Sequence, residues 1–175
     1  MKITLTCLCS LLLTFCAMSQ NKEMKLPAPQ KTGGKPLMEA LAARATNRAL
    51  NPDKSLSQQQ LSNMLWAAWG INRPDGRRTA ASAMNCQEID LYLIGKQGAY
   101  LYNATEHALE PVAEGDFRSQ VSAQEFAKNG DWIVIFVADH NKMKHPNEVT
   151  AGIDAGLIAQ NIYLYGASEN LGLAV

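Results

Sequence analysis

"RRTAASAMNCQEIDLYLIGKQGAYLY", residues 77–102, is the stretch that decides the fold. Its second half has a period of two. Ile89, Leu91 and Leu93 alternate with Asp90, Tyr92 and Ile94, GKQG turns the chain, and Ala99 to Tyr102 runs back. Successive side chains of a strand point to opposite faces, so this pattern predicts a β-hairpin. Its first half is small and polar. Ser82 and Ala83 would let a ligand approach the backbone closely, and Asn85 and Gln87 carry both donors and acceptors. The stretch therefore reads as a ligand-type loop opening into a strand, or as a plain loop-to-strand connection with Asn and Gln as turn residues.

Upstream, Ser57 and Gln60 make a capping box, Leu61, Met64, Leu65, Ala68 and Trp69 follow at helical spacing, and Gly70 stops the run. Residues 37–48 are good helix formers, and Asn51-Pro52-Asp53 ends them. Residues 72–79 read as an arginine-rich loop. Downstream, Ser122 is positioned to cap a short helix over 122–128. "DWIVIFVAD", residues 131–139, is apolar and β-branched, which predicts a central strand buried on both faces. A long helix is expected over about 147–170. Helices flanking a hairpin and a further strand predict an α+β sandwich around a mostly antiparallel sheet.

The 175 residues carry 16 basic and 16 acidic side chains. A zero formal charge lacks the basic excess of nucleic-acid binders, so no nucleic-acid partner is expected. Residues 1–19 have the order of a secretory signal: Lys2, an apolar run, then Ala17-Met18-Ser19. The run is short for a bilayer span. The expectation is export to the periplasm with cleavage after Ser19; lipidation at Cys16 is the alternative. Residues 20–36, rich in Lys, Pro and Gly, read as a flexible leader. Cleavage leaves Cys86 as the one thiol, so no internal disulfide is expected, and Cys86 reads as a small buried residue. His107, His140 and His145 are scattered without metal-ligand spacing and read as loop or surface residues.

Three segments, in order, resemble the nitroreductase family of flavin enzymes. "RATNR", residues 44–48, looks like the family's Arg-x-Ser-x-Arg/Lys motif, with Thr46 in the Ser position. "ASAMNCQE", residues 81–88, is similar to Pro-Ser-x-x-Asn-x-Gln-Pro. "GIDAGLIAQNIYLYGASENLGL", residues 152–173, is similar to the family's long helix with its Gly-Leu ending. "LSNMLWAAWGINRPDGRR", residues 61–78, and the Gly-x-Tyr-x-Tyr hairpin look closer to the branch named for thiazole- and oxazole-forming dehydrogenases. The resemblance covers residues 37–175 and implies a nitroreductase-like sandwich that binds FMN.

By resemblance, Arg44, Thr46 and Arg48 hold the FMN phosphate. A phosphate monoester carries about two negative charges near neutral pH, and guanidinium forks suit it. Four-residue spacing would put both arginines on one helix face; without the other motifs the pair reads as a solvated basic face. Ser82 and Ala83 would lie under the flavin, with Asn85 and Gln87 along its polar edge or ribityl chain. Arg77 and Arg78 read either way, as site residues or as solubilising loop charges. The resemblance further implies a homodimer with flavin sites across the interface. It also implies hydride or electron transfer from a small-molecule donor to a small organic acceptor such as a nitroaromatic or quinone. No protein nucleophile is required. A non-catalytic binding protein on the same fold is the alternative. Two departures stand out: Ala81 and Glu88 occupy the family's proline positions. The chain also stops at "LGLAV", so residues 37–175 read as lacking the family's C-terminal segment.

Overall fold

The computed structural model describes residues 22–174. The expected signal segment and Cys16 lie outside the described residues. The elements, in order, are β1 (Met24–Lys25), α1 (Leu37–Ala43), α2 (Gln58–Trp69), β2 (Ile89–Ile94), β3 (Gly98–Asn103), β4 (Ala108–Glu114), β5 (Ile133–Ala138) and α3 (Glu148–Glu169). The strands form one sheet in the order β1-β4-β3-β2-β5, and all four pairings are antiparallel. Among the described residues, no helix is long and apolar enough to cross a membrane.

The hairpin forms as its pattern dictates. Leu93 stands opposite Tyr100, and Tyr102 opposite Leu109, so these side chains share one face. Against that face α2 lays Leu61, Met64, Leu65, Ala68 and Trp69, and α3 lays Ile158 and Ile162. Each fully buried Leu or Ile contributes about 1.5–3 kcal/mol, so this one face carries the domain. The Ser57 hydroxyl accepts the Gln60 backbone N–H, and the Gln60 side chain accepts the Ser57 N–H. Gly70 closes α2 for want of space: a Cβ there would stand 2.3 Å from Trp66 Cδ1 and 2.6 Å from its carbonyl oxygen. Asn147 caps α3, and Asn170 ends it in the left-handed region.

Tertiary contacts overrode several local expectations. The run 131–139 forms β5 on the edge of the sheet, not at its centre, and Val137 is exposed. Its apolar pattern reads as a strand buried on both faces, but no residue of Ile133–Ala138 is fully buried, and the centre belongs to β3, flanked by β2 and β4. β4 itself was hidden in the sequence by Pro111 and two glutamates, Glu110 and Glu114. Pro111 cannot donate a ladder bond, and the register shifts between Ala99 and Tyr100 opposite it. Over 122–128 the expected helix is a 3₁₀ turn, Glu125–Asn129, and Ser122 instead accepts the Gln124 N–H.

The leader expectation is corrected for its described part. Met24 and Lys25 pair with β4, the Gln30 N–H donates to Asn63, and the Lys35 N–H to Ser168. His107 is the pin of this arrangement, not a surface residue. Ser62 Oγ donates to the Pro27 carbonyl at 2.6 Å, which leaves it to accept from His107 Nε2 at 2.7 Å. His107 Nδ1 then accepts from the Tyr102 hydroxyl at 3.0 Å. Burial holds the imidazole below its ordinary pKa, consistent with this neutral tautomer.

Candidate functional site

The loop between α2 and β2 is built by one half-buried arginine. Arg78 stacks on the Trp69 ring at 4.8 Å, donates to the Trp69 carbonyl at 2.9 Å and donates to Gln87 Oε1 at 2.8 Å. Burial lowers its pKa, with Tyr102 and Asp90 opposing. Gln87 Nε2 donates to the Gly76 carbonyl and to Asn85 Oδ1, both at 3.1 Å, and the Gln87 N–H donates to Ser82 Oγ at 3.0 Å. The Gln87 amide is thus spent inside the loop. Of the expected ligand amides, Asn85 is the exposed one.

The backbone here is strained. Met84, Asn85 and Gln87 have φ of 52°, 54° and 50°. Left-handed non-glycine residues cost on the order of 1–3 kcal/mol each, although Asn tolerates the region better. Such a loop persists only where its surroundings over-determine it. Arg78 does so from one side. From the other, Asp154 of α3 accepts the Ala83 N–H at 2.8 Å. Asp154 is 4% exposed, and Glu88 at the end of the loop is fully buried. Glu88, at one of the two expected proline positions, therefore lies beneath the loop rather than at its surface.

The second cluster departs from its expected geometry. α1 ends at Ala43, and Arg44 turns extended at φ −58°, ψ 120°. Arg44, Thr46 and Arg48 are therefore not on one helix face. The reason is tertiary: the Asn47 N–H donates to the Leu173 carbonyl at 2.7 Å, which draws the chain away from the helix. Aromatic rings place these side chains instead. The Arg44 guanidinium lies 5.5 Å over Tyr163, Arg48 lies 5.7 Å over Phe126, and Thr46 Oγ1 is 3.0 Å from the Tyr163 hydroxyl. Among the described residues, no carboxylate forms a salt bridge with either arginine.

Beside them is a cleft of about 770 Å³ whose walls include Asn47, Phe126, Trp132, Phe136, Tyr163 and Leu173. That volume is within the range of small-molecule sites. The cleft touches none of residues 82–87. Nine residues of α3, about 13 Å at 1.5 Å per residue, separate Asp154 under the loop from Tyr163 under Arg44. The expected site residues thus form two groups along one helix. Arg78, Asp154 and Tyr163 complete them. Asp154 is a charge inside an apolar helix, a signal present in the sequence; the roles of Arg78 and Tyr163 required the fold. Among the described residues, no group of three His, Cys, Asp or Glu side chains could hold a metal.

The sandwich, the strained loop and the aromatic-backed arginines together outline an α+β protein with room for a small ligand. Residues 41–175 match the model of the nitroreductase family, and the chain belongs to that family. Comparison with curated proteins gives no match. Among solved structures, a candidate nitroreductase from Ralstonia eutropha JMP134 is 38% identical; the alignment covers 86% of this chain and 73% of that one, with a TM-score of 0.79. A candidate nitroreductase from Desulfovibrio desulfuricans, solved in complex with FMN, is 20% identical over 80% of this chain and 67% of that one, at a TM-score of 0.55. The E. coli microcin synthetase McbBCD complex, with truncated pro-MccB17 bound, contains a chain 18% identical over 95% of this chain and 71% of its own, at 0.61. The last two likenesses concern the fold.

Proposed function

We propose that this chain is an exported FMN-dependent oxidoreductase acting on a small organic acceptor such as a nitroaromatic or a quinone. The observation that carries the reading is the pair Arg44 and Arg48, held over aromatic rings without carboxylate partners and with the Thr46 hydroxyl between them. Two uncompensated guanidiniums fit a phosphate dianion. Family membership and the Desulfovibrio structure with FMN support the same cofactor. Bound FMN would supply hydride or electron transfer through the flavin. The chain's own work is positional. Arg44, Thr46 and Arg48 hold the phosphate, Ser82 and Ala83 offer little bulk beneath the ring, and Asn85 presents its amide to the ring edge. Gln87 keeps Asn85 in place.

The two groups lie far apart in one chain, which favours a site shared by two copies. Val149, Ile153 and Leu157, spaced four apart on α3, are 72%, 60% and 43% exposed. An apolar stripe of this kind suits a homodimer interface. Export rests on the composition of residues 1–19.

Titration of the purified chain with FMN tests the cofactor assignment. The expected result is a yellow protein with flavin absorption that survives desalting. A protein that stays colourless after FMN addition overturns it and favours the binding-protein alternative.

Cys86 supplies a second expectation. It is half-buried inside the loop, and its N–H donates to the Ala83 carbonyl. Among the described residues, no hydrogen bond or ion pair gives the thiol a base or cation, which a catalytic cysteine needs. Cys86→Ser should keep FMN binding and most turnover with an artificial electron donor. A drop of about a hundredfold, near 2.7 kcal/mol of barrier, with FMN still bound would show that the thiol takes part.

A further inference from the structure

The buried carboxyls beneath the loop have no role in the proposal above. Glu88 is 0% exposed, and neither of its carboxyl oxygens has a hydrogen-bond partner among the described residues. It faces Asp154, whose Oδ2 is occupied by the Ala83 N–H. Two adjacent buried carboxylates cannot both stay charged at low cost. We propose that Glu88 and Asp154 form a one-proton pair, with Glu88 as the neutral acid, that locks the strained loop of residues 82–87 in its ligand-ready shape.

The anchoring is double. Asp154 grips Ala83 at the start of the strained segment, while the Glu88 carbonyl accepts the Asp139 N–H at its end. With Glu88 neutral, no like charge opposes Asp154 where it accepts the Ala83 amide. A second charge would push the two carboxyls apart and release that amide. Burial first, and then Asp154, push Glu88 above the usual carboxylate range. The charged groups around it are few. Asp154 faces it from α3, and Lys142 opposes the shift from the turn after β5. Lys142 is already engaged by Asp90 at 2.7 Å and lies 4.0 Å from Asp139. Glu88 and Asp154 are thus positioning residues. They act on the site through the loop.

The sign of the pH effect follows. The folded chain holds a proton on Glu88 that the unfolded chain releases near its ordinary value of about 4.3. Stability therefore falls as pH rises from there to the raised folded value, and is flat above it. Glu88→Gln removes the titrating group and keeps the shape, so it should erase this dependence; Asp154→Asn removes the neighbouring carboxylate but leaves Glu88 buried, so it should reduce the dependence without erasing it.

Amide exchange of the loop, read by mass spectrometry on the full chain without FMN, tests the lock. Protection factors already correct for the base-catalysed rise in exchange. As pH rises from the ordinary carboxylate range past the raised Glu88 value, wild-type protection over Ala83 to Gln87 should fall about tenfold, Glu88→Gln should hold its own, and Asp154→Asn should lose less than the wild type. Wild-type protection that stays constant, or that Glu88→Gln follows downward, overturns the pairing. The cofactor role rests on the FMN reading and is measured separately. FMN affinity should weaken over the same range in the wild type and stay level in Glu88→Gln. Loop protection that responds to pH in a chain that never binds FMN sinks the FMN reading and leaves the lock standing. FMN binding with a loop indifferent to pH does the reverse.

Discussion

Arg78→Ala should be the most damaging single substitution outside the hydrophobic core, with an expected loss of about 3 kcal/mol. Two charge-assisted hydrogen bonds are at stake, to the Trp69 carbonyl and to Gln87 Oε1. Each is worth about 1.5–3 kcal/mol, and stacking on Trp69 adds about 0.5–2 kcal/mol, with partial cancellation because the contacts share one side chain. The partners suffer as well. Trp69 is 2% exposed, so water reaches its carbonyl poorly once the guanidinium is gone. Gln87 also loses the bond that holds it, and with it the support of the left-handed segment. Equilibrium urea unfolding gives the measurement: a lower midpoint with an unchanged slope. Arg78→Lys should recover only part of the loss, because an ammonium cannot fork toward both acceptors while stacking. A loss below about 1 kcal/mol for Arg78→Ala would contradict the account, since it would place Arg78 among ordinary surface residues.

Arg44→Ala should leave stability nearly unchanged and weaken FMN binding by about tenfold or more, the cost of a hydrogen bond to a charged group. The two effects separate because Arg44 makes few contacts that the fold needs. Its guanidinium lies over the Tyr163 ring, and its own segment is already anchored through Asn47. Arg77→Ala is the control. Arg77 is half-exposed and pairs only with Asp75 in the turn, so removing it tests general charge rather than position. Fluorescence titration of FMN against both variants decides the matter. Equal dissociation constants would remove Arg44 from the phosphate site. A large fall in both would point to long-range attraction rather than a fork on the phosphate, and would fade as salt rises.

Much of the architecture was legible because it rests on local rules. The period-two run at Ile89–Ile94 makes a strand wherever it is covered on one side. The Ser57 and Gln60 box starts α2 because both partners lie within one turn. The α+β class follows from these elements. The family resemblance also came from short motifs whose order survives in the chain, and the family match covers residues 41–175.

Other features depend on partners distant in sequence. The 44–48 motif reads as helix by propensity, yet a bond from Asn47 to Leu173, across the domain, ends α1 at Ala43. The Lys- and Pro-rich leader reads as flexible until Ser62, His107 and Tyr102 meet beneath Pro27. β5 carries the pattern of a central strand, but a strand's place in a sheet is set by the order of pairing, which period alone does not encode. Glu88 follows the same logic. Beside Gln87 in sequence it looks like a loop charge, and only the packing of α3 under the loop brings it against Asp154 and takes both out of water. The sequence by itself determined which segments become helices and strands, because propensity, caps and period act within a few residues. Tertiary structure alone decided which of those segments touch, and so where the charges of the site are buried, because desolvation and pairing are properties of the neighbours that folding brings together.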